Sequence, residues 1–97
     1  MTEIRWTQRA ADDLAAVRDF IGRDSAVYAQ LVVERLYSAV GQLRDFPDSG
    51  RVVPERAQPH LRELIRPPFR IVYQRQPEIV EILTIVRSSR LFPRDVR

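Results

Sequence analysis

Arginine dominates the side chains of this sequence that could do chemistry. The sixteen basic residues are all arginine, and thirteen acidic residues leave a net charge of +3. A guanidinium group binds phosphate or carboxylate but stays protonated near neutral pH, so it cannot act as a general acid or base. Any proton transfer would therefore fall to His60, the three tyrosines or the carboxylates.

The C-terminal segment concentrates the positive charge. Its last eleven residues contain one acid, Asp95, and four arginines, namely Arg87, Arg90, Arg94 and Arg97. Such a patch suits a nucleic acid or an acidic protein partner. A solvated basic tail explains the same composition, and composition alone favours that simpler interpretation.

Five residues of the second half are further candidates, and each also has a structural interpretation. They are His60, Arg62, Glu63, Arg70 and Tyr73. His60 follows a proline and is typical of a surface turn, whereas Tyr73 lies in an apolar stretch and is expected in the core, with its hydroxyl bonded at the edge. Arg62 and Glu63 are consistent with cross-strand salt bridges, each worth about 0–1 kcal/mol.

The sequence lacks the motifs of several enzyme classes. It has only three glycines and no glycine-rich phosphate loop, no nucleophile elbow and no metal-ligand spacing. Zero cysteines exclude disulfides, zinc–thiolate sites and thiol catalysis, and a single histidine argues against a histidine-rich metal centre. We therefore expect neither a metal nor a cofactor.

Length and composition are those of one small globular domain. The chain has 97 residues, of which 44% are hydrophobic and 30% charged. These values argue against intrinsic disorder and leave no room for a second core, so residues 1–97 are expected to form a single domain. The sequence contains no recognisable membrane span or signal peptide, which predicts a cytoplasmic protein.

The first half predicts a strand followed by two helices. Residues 3–6 alternate between polar and apolar, as a half-buried strand does. Thr7 and Ser25 are suited to cap the N-termini of two amphipathic helices. The first helix is expected to stop at Gly22 and the second to run to Phe46, because a proline follows.

The second half predicts three strands after a loop. Prolines and turn-forming residues mark 47–59 as the loop, and β-type runs cover 60–66, 69–75 and 79–86. The connections are too short for crossovers, so these strands should be antiparallel neighbours. The expected fold class is α/β (α+β), with a helical hairpin packed on a small antiparallel sheet in the order βααβββ.

The last predicted strand is apolar on both faces. Simple alternation divides its apolar residues into two sets, Ile79, Leu83 and Ile85 on one face and Val80, Ile82 and Val86 on the other. Two helices cover only one face of a small sheet, so the other face needs the tail from Leu91 onward or another protein. The predicted core comprises Trp6, Leu14, Val17, Ile21, Leu36, Leu43, Ile71 and Leu83.

A set of short motifs follows in order from residue 4 to about residue 90. They are Trp6-Thr7 with Ala10, Asp13 and Leu14; Phe46-Pro47; Gly50-Arg51; Val53-Pro54-Glu55; Arg62-Glu63-Leu64; Phe69-Arg70-Ile71-Val72-Tyr73; and Val86-Arg87 with Arg90. In this order and spacing they resemble the toxins of the RelE/ParE superfamily. The resemblance implies a helical hairpin on a small antiparallel sheet and a role as the toxin of a bacterial toxin–antitoxin system, often called a plasmid stabilisation protein.

The superfamily divides by target. RelE-type members cut messenger RNA in the ribosome with basic residues on the sheet and a tyrosine or histidine near the C-terminus, whereas ParE-type members lack that set and poison DNA gyrase. Here Arg70 matches the sheet arginine and Arg62 falls near a basic RelE-type position, but Glu63 or Leu64 occupies the second one. Arg87 stands where many relatives carry a histidine, and RNA cleavage needs an acid and a base that arginine cannot supply.

The resemblance therefore predicts a ParE-type toxin that inhibits DNA gyrase and is neutralised by a cognate antitoxin protein in a hetero-oligomer. The alternatives are a RelE-type mRNA endoribonuclease and a toxin-fold protein whose activity has decayed. The expected target-binding residues are Arg87, Arg90 and Arg94, and the expected antitoxin-binding residues are Val80, Ile82, Val86 and Leu91. For the ribonuclease alternative the catalytic set would be Arg62, Arg70, Arg87 and Arg90.

Overall fold

A computed structural model describes residues 2–90 and 92–96 and contains two helices and five strands. In chain order these are β1 (Glu3–Trp6), α1 (Gln8–Gly22), α2 (Ala26–Gly41), β2 (Arg51–Val52), β3 (Leu61–Arg66), β4 (Phe69–Arg75) and β5 (Ile79–Arg87). None of the helices in these two ranges is long and apolar enough to cross a membrane.

Side-chain caps start both helices at the predicted residues. The Thr7 hydroxyl accepts a hydrogen bond from the Ala10 N–H, and the Ser25 hydroxyl accepts one from the Tyr28 N–H, each at 3.1 Å. The end of α2 was predicted less well. The helix stops at Gly41 and a 3₁₀ turn follows, so Phe46 lies outside the apolar stripe and its side chain is 66% exposed.

The sheet is mixed, with the strand order β1-β5-β4-β3-β2. The antiparallel pairing of β3, β4 and β5 confirms the prediction, as does the order of the main elements. Two features were not predicted. The strand β1 pairs with β5 in parallel, so the helical hairpin forms part of the connection between them, and the two-residue strand β2 lies inside the expected loop.

The helix-side core lies between the helical hairpin and one face of the sheet. Leu36, Leu43 and Ile71 are buried in it, as predicted. Four other predicted core residues pack against this cluster but remain partly exposed, namely Trp6, Leu14, Val17 and Ile21.

A smaller core on the opposite face answers what covers the second side of β5. Phe92 and Val96 of the tail pack there against Val72 and Leu83, so the chain's own tail covers this face. The predicted partition of β5 is wrong for Ile85, which lies in the helix-side core with Val80 and Ile82. A register shift opposite Val72 and Tyr73 inserts one residue into β5 and reverses the alternation beyond it.

Candidate functional site

The tail-side face of the sheet carries a buried network of alternating charges. The Arg70 side chain is 5% exposed and donates to Glu63 at 3.1 Å and to Glu55 at 2.8 Å. Glu63 is fully buried and also accepts from Arg51 Nε at 2.7 Å. Each buried charge therefore has at least one partner of opposite sign, which is the condition for keeping a charge inside a protein.

The pKa shifts in this network favour the ionised forms. The hydrogen bond from Arg70 lowers the pKa of the Glu55 carboxyl from its ordinary value. The same hydrogen bond raises the pKa of the Arg70 guanidinium. The pair therefore remains charged near neutral pH.

Two arginines hold the C-terminal tail, and one of them, Arg70, belongs to this network. Arg56 donates to the carbonyl oxygens of residues 93, 94 and 96, the shortest bond being 2.9 Å to Val96. Arg70 Nη2 donates to the Arg90 carbonyl oxygen at 3.0 Å. Both guanidinium carbons lie over the Phe92 ring, at 5.1 Å for Arg56 and 5.6 Å for Arg70. We call Arg56, Arg70 and Phe92 the tail clamp.

The tail clamp holds the main chain and leaves the two tail arginines in solvent. The residues Arg90 and Arg94 are exposed, although their carbonyl oxygens accept bonds from the clamp. The other two arginines of the C-terminal patch differ. Arg87 is partly buried against Phe20 and Phe69, and Arg97 lies outside the described residues.

The structure separates Arg62 from Arg70, two of the arginines of the ribonuclease alternative. Successive strand residues point to opposite faces, so Arg62 lies on the helix side with Leu64 and Tyr73, while Arg70 lies on the tail side. Arg62 instead donates to the Gly50 carbonyl oxygen at 2.8 Å and orders the loop before β2. A shared phosphate site for Arg62 and Arg70 is therefore ruled out in this conformation.

Tyr73 is a structural residue, as predicted. It is fully buried, its hydroxyl donates to the Pro47 carbonyl oxygen, and it accepts from the Gly50 N–H, each at 2.9 Å. Burial raises the pKa of its phenol. Gly50 permits this contact, because a Cβ there would lie 2.6 Å from the tyrosine oxygen.

Two of the expected antitoxin contacts are corrected. Val80 and Ile82 are completely buried under the helices in the helix-side core, so no partner can contact them on the folded protein. Val86 is partly exposed beside the tail and remains accessible. The fourth residue, Leu91, lies outside the described residues.

Sequence reasoning missed the tail clamp. Arg56 lies in the loop, where nothing in the local pattern distinguishes it from the other surface arginines. Phe92 and Val96 gave a usable signal, since apolar residues in a charged tail indicate that the tail packs against something. Glu55 was noted only as part of a motif, and its bond to Arg70 depends on a contact between residues 15 positions apart.

The comparisons with known proteins agree with this architecture. Residues 4–92 match the family described as the ParE toxin of the type II toxin–antitoxin system parDE. Toxin RelE2 of Caulobacter vibrioides is 39% identical over 92 residues, which cover 94% of this chain and all of that protein. Putative toxin Y4kP of Sinorhizobium fredii is 37% identical over 92 residues, covering 93% of this chain and 92% of that one.

A solved structure confirms the fold. It is described as a chromosomal ParDE toxin–antitoxin system from P. aeruginosa and matches with a TM-score of 0.72 and 28% identity, covering 90% of this chain and 96% of that chain. The predicted superfamily is thus confirmed by family, relative and structure alike. The chain belongs to the ParE toxin family of type II toxin–antitoxin systems.

Proposed function

We propose that this toxin inhibits DNA gyrase, acts in the cytoplasm and is neutralised by a cognate antitoxin protein. The observation that carries the proposal is that Arg70, the sheet arginine that the ribonuclease alternative requires, already bonds to groups within the chain. Its guanidinium is buried and bonded to two carboxylates and a carbonyl oxygen. A guanidinium held in this way has little capacity left for an RNA phosphate.

The placement of Tyr73 and His60, two of the possible proton-transfer groups, supports the same proposal. RNA cleavage needs a base for the 2′-hydroxyl and an acid for the leaving oxygen. Tyr73 is buried. His60 lies at one end of the sheet, where its carbonyl oxygen accepts a hydrogen bond from the Arg75 backbone N–H. Arg87 pairs with Phe69 at the other end. The length of β3 separates these ends by about 20 Å, so His60 is too far from Arg87 to assist it, and the buried Tyr73 is not accessible to RNA.

The exposed tail arginines are the proposed contacts with gyrase, together with Arg87 at the base of the patch. The tail clamp fixes the main chain beneath Arg90 and Arg94, so their side chains start from a fixed position. Fixing this main chain before binding reduces the conformational entropy lost in the complex.

The direct test is the supercoiling activity of purified gyrase with this protein added. The wild-type toxin should inhibit it, and Arg90→Ala or Arg94→Ala should each raise the inhibitory concentration about tenfold, as loss of a charged contact does. Arg44→Ala is the matched control. Arg44 is also exposed, but it lies outside the C-terminal patch, in the 3₁₀ turn that follows α2. Equal potency of all four proteins would show that neither Arg90 nor Arg94 contacts gyrase.

The name of the relative RelE2 is the observation that keeps the ribonuclease alternative in view. That alternative predicts growth arrest with gyrase unaffected and messenger RNA cut at codon positions in a translation extract. A folded protein that arrests no growth would indicate decayed activity.

An antitoxin should stabilise the protein, since α2 presents apolar side chains to solvent. Val27, Tyr28 and Leu31 are 76%, 51% and 47% exposed. A specific partner at a hundredfold excess over its Kd should add about 2.7 kcal/mol to the free energy of unfolding. The measurement is the Tm with and without the product of the neighbouring gene, and no change in Tm would contradict this assignment of a partner.

A further inference from the structure

The strand β1 lies at one edge of the sheet, where it pairs with β5. The Glu3 N–H bonds to the Glu78 carbonyl oxygen at 2.9 Å. In a parallel ladder alternate residues bond to the same neighbour, so the main-chain groups of residues 3 and 5 face β5. Those of Ile4 and Trp6 therefore point away from the sheet. Within residues 2–90 and 92–96, they have no main-chain partner on that outer side.

Two opposite charges lie on the same strand. Ile4 and Trp6 pack against the helix-side core, so Glu3 and Arg5 point to the other face of the sheet. The Glu3 and Arg5 side chains are 57% and 58% exposed and form an ion pair with each other. Both charges therefore remain accessible to a partner. We call the outer side of residues 3–6, with these two charges, the β1 edge.

The sequence Glu3-Ile4-Arg5 is complementary to itself when a second copy runs antiparallel to it. With Ile4 opposite Ile4 of the second copy, each Glu3 lies directly opposite an Arg5, which stabilises an antiparallel pair. The neighbouring symmetric registers place Glu3 opposite Glu3 or Arg5 opposite Arg5, and like charges in these positions destabilise the pair. Charge therefore selects one register, and that register has the two-fold symmetry of most homodimers.

Exposed aromatic side chains lie on the helix side of the same edge. The Trp6 ring stacks on Tyr37 with 6.0 Å between the ring centroids, and Tyr37 is 60% exposed. The Thr2 N–H bonds to the Arg44 carbonyl oxygen, so the segment that leads to the exposed Phe46 starts beside Thr2. In the selected register, Trp6 of one copy faces Thr2 of the other. The aromatic pair then meets this segment, and both bury apolar surface.

We propose that the β1 edge joins two copies of this chain into a homodimer, in which the two five-stranded sheets become one continuous sheet. Ile4 exchanges N–H and C=O hydrogen bonds with Ile4 of the second copy, and each Trp6 N–H donates to a Thr2 carbonyl oxygen. Glu3 and Arg5 of both copies alternate in charge across the two-fold axis. The strand has only four residues, so the dimer forms at high protein concentration and dissociates on dilution.

Sedimentation velocity over a range of protein concentrations tests the dimer. Glu3→Arg places like charges opposite each other and should raise the dissociation constant of the dimer about tenfold or more. Arg5→Glu should do the same, although it changes the net charge in the other direction. Asp24→Arg and Arg23→Glu are the matched controls. They make the same changes of charge in the exposed turn between α1 and α2 and should leave the dimer intact.

The two edge variants should rescue each other. Positions 3 and 5 both carry positive charge in Glu3→Arg and both carry negative charge in Arg5→Glu. An equal mixture should therefore form a heterodimer at concentrations where each variant alone is monomeric. The double variant Glu3→Arg/Arg5→Glu again places opposite charges against each other and should dimerise about as well as the wild type. Rescue also shows that neither variant has failed to fold.

Hydrogen exchange of single amides then locates the interface. The Ile4 N–H should gain protection as the protein concentration rises and should lose it in Glu3→Arg. The Arg5 N–H is the internal reference, because it faces β5 in the monomer and in the dimer alike.

Four results would overturn the inference. These are a wild type that stays monomeric at every concentration, a dimer that persists in Glu3→Arg, a mixture of the two edge variants that stays monomeric, and protection of Ile4 that appears only when the product of the neighbouring gene is added. The last would assign the edge to the antitoxin. None of these measurements depends on whether gyrase is inhibited, so failure here is distinct from failure of the proposed function.

Discussion

The two faces of the sheet are closed by different means. Two helices of 15 and 16 residues cover one face, and their apolar side chains pack on the sheet. The other face is closed by residues 92–96 of the tail, with Val53 and Leu61 beside them. On that face two guanidinium groups bond to tail carbonyl oxygens, and an ion network lies beneath them.

The two ways of closing the sheet have different physical consequences. Burial of apolar surface is strong but non-directional, whereas a hydrogen bond to a carbonyl oxygen fixes the position of the main chain. Five residues of tail bury too little apolar surface to stay in place by burial alone. The helix-side core therefore supplies most of the free energy of unfolding, and the tail clamp determines where the tail arginines lie.

Breaking the buried ion network should have the largest effect. Arg70→Ala leaves the buried Glu63 with only the exposed Arg51 as a partner and should lower the free energy of unfolding by about 3–5 kcal/mol. Arg51→Ala should lower it by less than about 1 kcal/mol, because the Arg51 side chain is 60% exposed. Urea denaturation measures both values. Equal losses of stability in the two variants would show that the buried Arg70 contributes no more to folding than the exposed Arg51.

The second prediction compares the two cores directly. Ile71→Ala or Leu36→Ala in the helix-side core should cost about 2–5 kcal/mol, because each leaves a cavity in a fully packed region. Val96→Ala in the tail-side core removes less buried surface and should cost about 1–2 kcal/mol. Thermal melts should order the variants in the same way, with about 4–8 °C for each kcal/mol. A larger loss from Val96→Ala would reverse the assignment of stability to the helix side.

The third prediction releases the tail without removing its charges. Arg56→Gln loses charge-assisted bonds to the tail and should cost about 1 kcal/mol of stability, yet raise the inhibitory concentration against gyrase about tenfold. Arg56→Lys keeps the charge but lacks the planar fork, so it should restore the potency only in part.

A double-mutant cycle separates positioning from simple destabilisation. If Arg56 acts through the tail, adding Arg90→Ala to Arg56→Gln should cost little further potency, because Arg90 is no longer held in place. Additive losses of potency would instead mean that the two arginines act independently.

The sequence predicted those features that depend on local pattern. The caps at Thr7 and Ser25 and the runs of β-type residues are local signals, and their positions were confirmed. The end of α2 was missed, because Pro47 marks the last residue a helix can reach and not the residue where this one stops. A 3₁₀ turn follows Gly41 instead, and Leu43 is buried in that turn.

Features that depend on contacts between distant residues could not be predicted in this way. The phase of β5 changes at a register shift that nothing in its own residues indicates. Composition shows that arginines are concentrated near the C-terminus. It does not show that Arg56 and Arg70 hold the tail, because that depends on contacts between distant parts of the chain. Arg62 and Arg70 are eight residues apart, yet alternation and pairing place them on opposite faces of the sheet.

The smallest predicted effect concerns the half-exposed end of the ion network. The pKa of Glu55 lies below its ordinary value of 4.5 because of the hydrogen bond from Arg70, so its ionised form favours the folded state. This contribution is complete above the ordinary pKa and is lost as the pH falls through the lowered value. With a Glu55 side chain that is 37% exposed, it should amount to less than about 1 kcal/mol.

The measurement is the free energy of unfolding of the wild type and of Glu55→Gln between about pH 6 and about pH 3. The wild type should be the more stable at the upper end, and the difference should shrink towards the lower end. Added salt should reduce the stability difference near pH 6 only partly, since Arg70 is buried and screening acts mainly on exposed charges. Parallel curves for the two proteins would mean that Glu55 is solvated and that Glu63 alone holds the Arg70 guanidinium under the tail.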